Sequence, residues 1–566
     1  MRNKAVLYVV LLSVSLVVVA QVRPAASRAS SKSTSNAKPV AAASAIDPQH
    51  IRAHVKFLSS DLLEGRGTGQ RGGDLAAEYI ATQFELYGLK PAGDNGGYLQ
   101  KVPMVGITTE PSTTLSYVAA DKTTNLRLSD DAVATDETQN PTSDVDADVV
   151  FVGYGVDAPE YQWNDYKDAD VKGKVLLMLV NEPPSDDPAF FKGKALTYYG
   201  RWTYKYEEAA RKGAVGAIII HKSDMASYDW DVVKNSWAGE RSFLANDGRP
   251  KLKLTSWVQL DVARKMIGPG KDLDVLMKDA QSRDFKPVPL QVRVRAHMVS
   301  KVRRFDSSNV LALLPGADAK LKSEAVVYSA HYDHLGIHAG QTGDNIYNGA
   351  VDNATGCGVL LEMARAFTSS SQRPKRSIFF VAVTAEEQGL RGSEFLGQHP
   401  PIAAGNISLG LNFDGLAPNG LPEEVDVSGS ERTTFYTVVQ ATAKEFGVQI
   451  KPDSNPSAGF YYRSDHFSLA RVGIPAFSVN EGMKFQGHPV EWGIQKEREY
   501  NDQRYHQPSD EFQADWDFSG LAQMARFGVA LGWKAANQPQ QVAWLPGDEF
   551  EATRKASLAS STKDGQ

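Results

Sequence analysis

Residues 324–333 read EAVVYSAHYD and residues 376–387 read RSIFFVAVTAEE. Both are short β-rich runs, and both end in side chains able to bind metal or move protons. More such runs follow from about residue 307: SNVLALLPG (308–316), ISLGLNFDG (407–415) and GIPAFSV (473–479). Helical patterns separate several of them, including ATGCGVLLEMARAF (354–367), TTFYTVVQATAKEFG (433–447) and SGLAQMARFGVALGWKAA (519–536). This alternation predicts an α/β domain whose mixed, mostly parallel central sheet is flanked by helices. In such sheets ligands bind outside the carboxyl ends of the strands.

Those ends carry an unusual set of side chains. His331 and Asp333 lie two apart, so they share one side of a strand, and Asp333 could fix the ring of His331. NGAVDNATG (348–356) puts Asp352 in a tight loop before a helix. Later strands deliver Glu386, Glu387 and Asp414, and YHQPSD (505–510) puts His506 in a turn-rich loop. One strand-end acid means little, because surface acids are common. Two histidines and three carboxylates at one edge suit zinc. A carboxylate has two oxygens and can bridge two ions, and paired ions ~3.5–4 Å apart serve several classes of hydrolase. Adjacent strand residues face opposite ways, so Glu386 and Glu387 share a site only if the chain bends, as Gly389 and Gly392 would permit. One acid would then ligate metal while the other moves a proton. Cys357, between Gly356 and Gly358, reads as a small buried residue rather than a nucleophile.

The chain has 566 residues, enough for several domains of roughly 150 residues each. The 61 basic and 67 acidic side chains leave a formal charge of −6, which argues against a nucleic-acid surface. Arg2 and Lys4 precede an apolar run, Ala5–Ala20, ending Val18-Val19-Ala20. The run is shorter than the ~20 residues that span a bilayer, so residues 1–20 read as a secretory signal. This predicts an exported protein, periplasmic or secreted, with no stable membrane span after signal removal. Its single cysteine permits no internal disulfide. Residues 21–46, rich in Ala, Ser and Pro, read as a flexible linker, and residues 541–566 as a polar, frayed tail.

Between about 144 and 290 the landmarks are GYG (153–155), VKGKV (171–175) and AARKGAVGAIII (209–220). Their order resembles the protease-associated domain, a β-rich insert of secreted hydrolases. The remainder, 47–143 and 291–540, carries HYDH, AVDNATG, AEEQGLRGSE, NFDG, RSDHFSLARVGIPA and YHQPSDE in that order. Together these motifs resemble the secreted double-zinc aminopeptidases, which include aminopeptidase Y and the bacterial leucyl aminopeptidases. The resemblance implies a zinc-exopeptidase (phosphorylase/hydrolase-like) fold, peptide substrates and two zinc ions. His331, Asp352 and Asp414 would hold one ion and Asp352, Glu387 and His506 the other, with Glu386 as general base and Asp333 orienting His331. Val351 stands where many relatives have a second acid. His334 reads as a satisfied structural histidine. Tyr461, Tyr462, Arg463, Asp465 and His466 are candidates for the substrate pocket, although Ser464 or Asp465 could instead cap a helix. Arg463 could grip a substrate carboxylate. Carboxypeptidases of the glutamate carboxypeptidase type, glutaminyl cyclases and the non-catalytic transferrin-receptor ectodomain are alternatives within the same fold.

Overall fold

A computed structural model describes residues 41–563, except 227, 238, 246, 339–340 and 453–455. The expected signal (1–20) and most of the expected linker lie outside the described residues. Helices α1 (Ala41–Ser44), α2 (Pro48–Leu58) and α3 (Arg71–Leu86) come first. The Asp47 side chain accepts the N–H of Gln49 and Pro48 fills the first turn, so α2 starts where its sequence caps it. Strands β1 (Leu99–Thr109), β2 (Thr142–Phe151) and β3 (Val175–Leu179) precede helix α4 (Trp202–Arg211). Strands β4 (Gly216–His221), β5 (Glu240–Leu244), β6 (Leu254–Gln259) and the 27-residue β7 (Val288–Leu314) follow. β2, β3, β4 and β6 pair in parallel in that order.

The C-terminal half holds β8 (Ala325–His331), α5 (Gly356–Ser369), β9 (Ser377–Val383), α6 (Arg391–Gln398) and β10 (Ile407–Asn412). It continues with α7 (His466–Arg471), β11 (Ala476–Ser478), α8 (Ser519–Asn537) and α9 (Glu551–Lys563). The strand order is β11-β10-β8-β9-β7. The first four run parallel and β7 is antiparallel to β9, giving the expected mostly parallel mixed sheet. Alternation along β8 divides the core between the two faces. Val326, Tyr328 and Ala330 pack with Leu360, Phe367, Leu521 and Phe527 of α5 and α8. Ala325 and Val327 pack on the other face with Leu396 and Leu469 of α6 and α7. Among the described residues no helix is long and apolar enough to cross a membrane.

Four limits differ from the sequence reading. The linker does not run to residue 46, because Ala42, Ala43 and Ile46 are buried in the main core. That stretch is too short to show a helical period. The limits at 143/144 and 290/291 do not fall at structural breaks. β2 begins at Thr142 and β7 at Val288, and β5 pairs with β1. β7 pairs first with β2 and then with β1 and β9, so one strand serves both halves. The 541–566 stretch is not frayed over its described length. Val542, Trp544 and Phe550 are buried, and the indole of Trp544 donates to the Gly473 carbonyl at 3.1 Å. Val542 and Trp544 fall in one short apolar run, 542–545, and Phe550 stands alone among acidic residues, so the stretch is too short to show a period. Trp544→Ala should therefore lower unfolding stability by about 3–5 kcal/mol in a denaturant titration. An unchanged midpoint would return this stretch to the status of a loose tail.

Candidate active site

β8, β9 and β10 end side by side, and their ends set out the site. His331, the last residue of β8, is buried, with Nε2 3.1 Å from Asp414 Oδ1 and 3.2 Å from Asp352 Oδ1. The other oxygen of Asp352, Oδ2, lies 3.2 Å from His506 Nε2, which is 3.1 Å from Glu387 Oε2. All five expected ligands thus form one chain of contacts centred on Asp352. Ligating atoms of His331, Asp352 and Asp414 lie within 4.8 Å of one another, as do those of His334, Asp352 and Glu387. Burial alone would neutralise Asp352, yet the hydrogen bonds from His331 and His506 hold it well below the usual carboxylate range.

The strand after β9 bends as the Glu386-Glu387 pair requires, but the left-handed residue at the bend is Ala385 (φ 56°), before the pair. The two acids then diverge. Burial, reinforced by the charges of Asp414, Glu387 and Asp465, pushes Glu386 well above the ordinary value against the pull of His331. Burial also acts on Glu387, but His506 and His334 bring it down to about 2. Such a split separates a proton carrier from a ligand.

Asp333 does more than the sequence suggested. Its Oδ1 accepts the Glu386 N–H at 3.1 Å and its Oδ2 accepts the Thr68 hydroxyl at 3.1 Å. The nearest acceptor to His331 Nδ1 is the Asp333 carbonyl at 3.2 Å, and the carboxylate stands 3.7 Å away. His334 is not the satisfied structural histidine expected. Its Nδ1 is 2.6 Å from Glu387 Oε1, and its buried Nε2 has no partner. Cys357 is buried, burial pushes its thiol up to about 12, and it donates to the His331 carbonyl.

The pocket candidates divide. Tyr462 and Arg463 line the cleft, although the Tyr462 hydroxyl is spent on Glu549 at 2.6 Å. The Tyr461 hydroxyl donates to the Ala476 carbonyl, and the His466 ring meets Ser478, so both stand behind the wall. Buried Asp465 has no side-chain cap bond to α7, and burial pushes its pKa up to about 7. Ser464 is not a cap either: its hydroxyl donates to Asp414 Oδ2 at 2.5 Å.

Sequence reasoning missed two residues. The buried Arg66 guanidinium donates to four carbonyls, those of Leu58, Tyr332, Asn348 and Gly349, tying the loop before α3 to the His331 and Asp352 loops. Asp510 accepts the N–H groups of Val351 and Asp352 at 3.1 Å. The only signal for Asp510 was an acid inside the quoted YHQPSDE motif, and Arg66 lay in none of the quoted motifs. The cleft, about 960 Å³, is lined by Glu386, Glu387 and His506 below and by Trp202, Trp237 and Arg241 of the 144–290 segment above.

Residues 309–529 match the model of peptidase family M28. This stretch is a peptidase family M28 domain. Over 465 residues the chain is 25% identical to a probable leucine aminopeptidase 2 of Aspergillus oryzae, covering 80% of this chain and 79% of that protein. A probable zinc metalloprotease of Pyricularia oryzae is 38% identical over 112 residues, 19% of this chain and a fifth of its own length. A solved aminopeptidase of Aneurinibacillus sp. strain AM-1 superposes with a TM-score of 0.49 at 18% identity, over 89% of this chain and 98% of that one. All five ligand candidates and Glu386 fall inside the M28 domain, as does Asp510. Arg66 lies outside it, as does the cleft roof. Asp510→Asn replaces one acceptor oxygen with an NH2 donor facing the N–H donors of the Asp352 loop, and should weaken divalent-metal binding about 10–100-fold in a chelator competition. Wild-type affinity would show that the loop holds its shape without this bond.

Proposed function

We propose that this chain is a zinc-dependent aminopeptidase that removes N-terminal residues from peptides. The observation that carries the reading is Asp352, whose two oxygens face different imidazoles, each within reach of a further carboxylate. Two imidazoles and three carboxylates fit a pair of zinc ions. His331 and Asp414 would hold one ion, Glu387 and His506 the other, and Asp352 both. His334 would steady the outer oxygen of Glu387. Two bound zinc ions would supply Lewis acidity, lowering the pKa of a bound water from 15.7 to ~7.

Glu386 is left outside both sets and performs the proton work. Its raised affinity for a proton suits a group that takes one from the attacking water and returns it to the leaving amine. Asp333 holds the Glu386 backbone, so the base has a fixed stance beside the ions. The similarity to an aminopeptidase over four-fifths of the chain supports the amino-end polarity. The complete donor set argues against a purely binding ectodomain. The N-terminal pattern supports export to the periplasm or the medium, and the 144–290 landmarks support a protease-associated insert.

Leucyl peptides assayed with and without a chelator provide the first test: chelation should abolish leucine release and zinc should restore it. Glu386→Gln should retain zinc while losing ~10²–10⁴ in kcat. Near-wild-type turnover in that variant would remove Glu386 from the mechanism. Asp352→Ala should lose both metals by elemental analysis, and undiminished zinc would refute the shared ligand.

A further inference from the structure

The cleft contains several arginines, and most have partners. Arg391 meets Glu394 at 3.1 Å, Arg471 meets Glu207 at 3.2 Å, and Arg241 stacks 3.9 Å over Trp237. Arg201, just before α4, and Arg463, just before α7, differ. The Nε of each is buried with no hydrogen-bond partner, as is that of Arg391, but unlike Arg391 neither pairs with a carboxylate. Arg463 spends one Nη2 bond on the Ala458 carbonyl, and the Arg201 side chain makes no hydrogen bond among the described residues. The groups that act electrostatically on the pair are tyrosines and the other arginine, with no carboxylate among them. Burial and the neighbouring Arg463 charge pull Arg201 down to about 10. Two half-buried like charges without an anion are unfavourable, so an anion entering between them gains what the protein itself does not provide.

The space there has a defined size. Arg201 and Arg463 line a recess of about 20 Å³, together with Asn181 and Tyr228. That is room for one or two water-sized groups, which matches the two oxygens of a carboxylate. Both arginines also line the 960 Å³ cleft that contains Glu386 and Glu387, so the recess opens off the reaction chamber. The fork of a guanidinium matches a carboxylate in two-point contact.

We propose that Arg201 and Arg463, one from each half of the molecule, receive a carboxylate of the peptide substrate. This rests on the aminopeptidase reading and names its substrate class: peptides that carry a negative charge close to the scissile bond. With the N-terminal residue at the metals, that charge is the free C-terminal carboxylate of a di- or tripeptide, or an Asp or Glu side chain. The insert then contributes directly to specificity, because Arg201 lies within it.

The test compares kcat/KM for leucine release from three peptides with the zinc-loaded enzyme: Leu-Gly-Gly, its C-terminal amide, and Leu-Glu-Gly-amide. The wild type should favour the free acid or the glutamyl amide over the neutral amide by about ten- to a hundredfold, the worth of a charge-assisted contact. Preference for the first identifies the C-terminal carboxylate, and preference for the second the acidic side chain. Arg201→Gln and Arg463→Gln should each bring the ratio close to one, with Arg463→Lys restoring part of it. The ratio is insensitive to partial loss of folded enzyme, which scales all three rates alike. Equal rates on all three peptides in the wild type, or wild-type ratios in both Gln variants, would overturn the carboxylate site and leave the aminopeptidase intact. Failure to release leucine from any of the three would sink both.

Discussion

The carboxylate of Asp352 points one oxygen at His331 and the other at His506, each at 3.2 Å. A set of contacts keeps it there. Asp510 grips the N–H groups on either side of the Val351–Asp352 bond. Arg66 ties the Gly349 carbonyl beside that loop to the Tyr332 carbonyl beside His331. Buried Ser329 and Asn412, with half-buried Ser464, relay hydrogen bonds to Asp414 across the ends of β8 and β10. These contacts orient the donor atoms, which is what a metal site of defined geometry requires.

The long strand β7 joins this half to the other. Its first part completes the sheet of the 144–290 segment and its last part is the antiparallel edge beside β9. The segment therefore cannot be a loosely tethered accessory. Glu394, on the first helix after Glu386 and Glu387, meets Arg249 of the segment at 2.5 Å and Arg391 of its own helix at 3.1 Å. Arg471 and Glu207 make a second tie across the same cleft. The roof over the ligand candidates is thus held by half-buried ion pairs, which orient the chain that carries Arg201.

The strand-helix alternation was legible because buried strands and amphipathic helices leave local, periodic traces. The ligand candidates were legible because each sits at a strand end or in a turn-rich loop. Arg66 and Asp510 left no such trace: their partners are backbone groups up to 283 residues away, and nothing local marks an arginine that will donate to the Gly349 carbonyl. His334 was misread for a related reason. Spacing places it one residue past Asp333, but only the bend at Ala385 brings Glu387 against its ring. Trp544 and Ile46 were missed because the apolar stretches that hold them, 542–545 and 41–46, are too short to show a period.

The central claim is that one carboxylate holds two ions. Crystals of the zinc-loaded protein, measured at wavelengths on either side of the zinc absorption edge, test it directly. The account predicts two anomalous peaks ~3.5–4 Å apart, each ~2.0–2.2 Å from a different oxygen of Asp352. A single peak, or a second ion that does not touch Asp352, would contradict it.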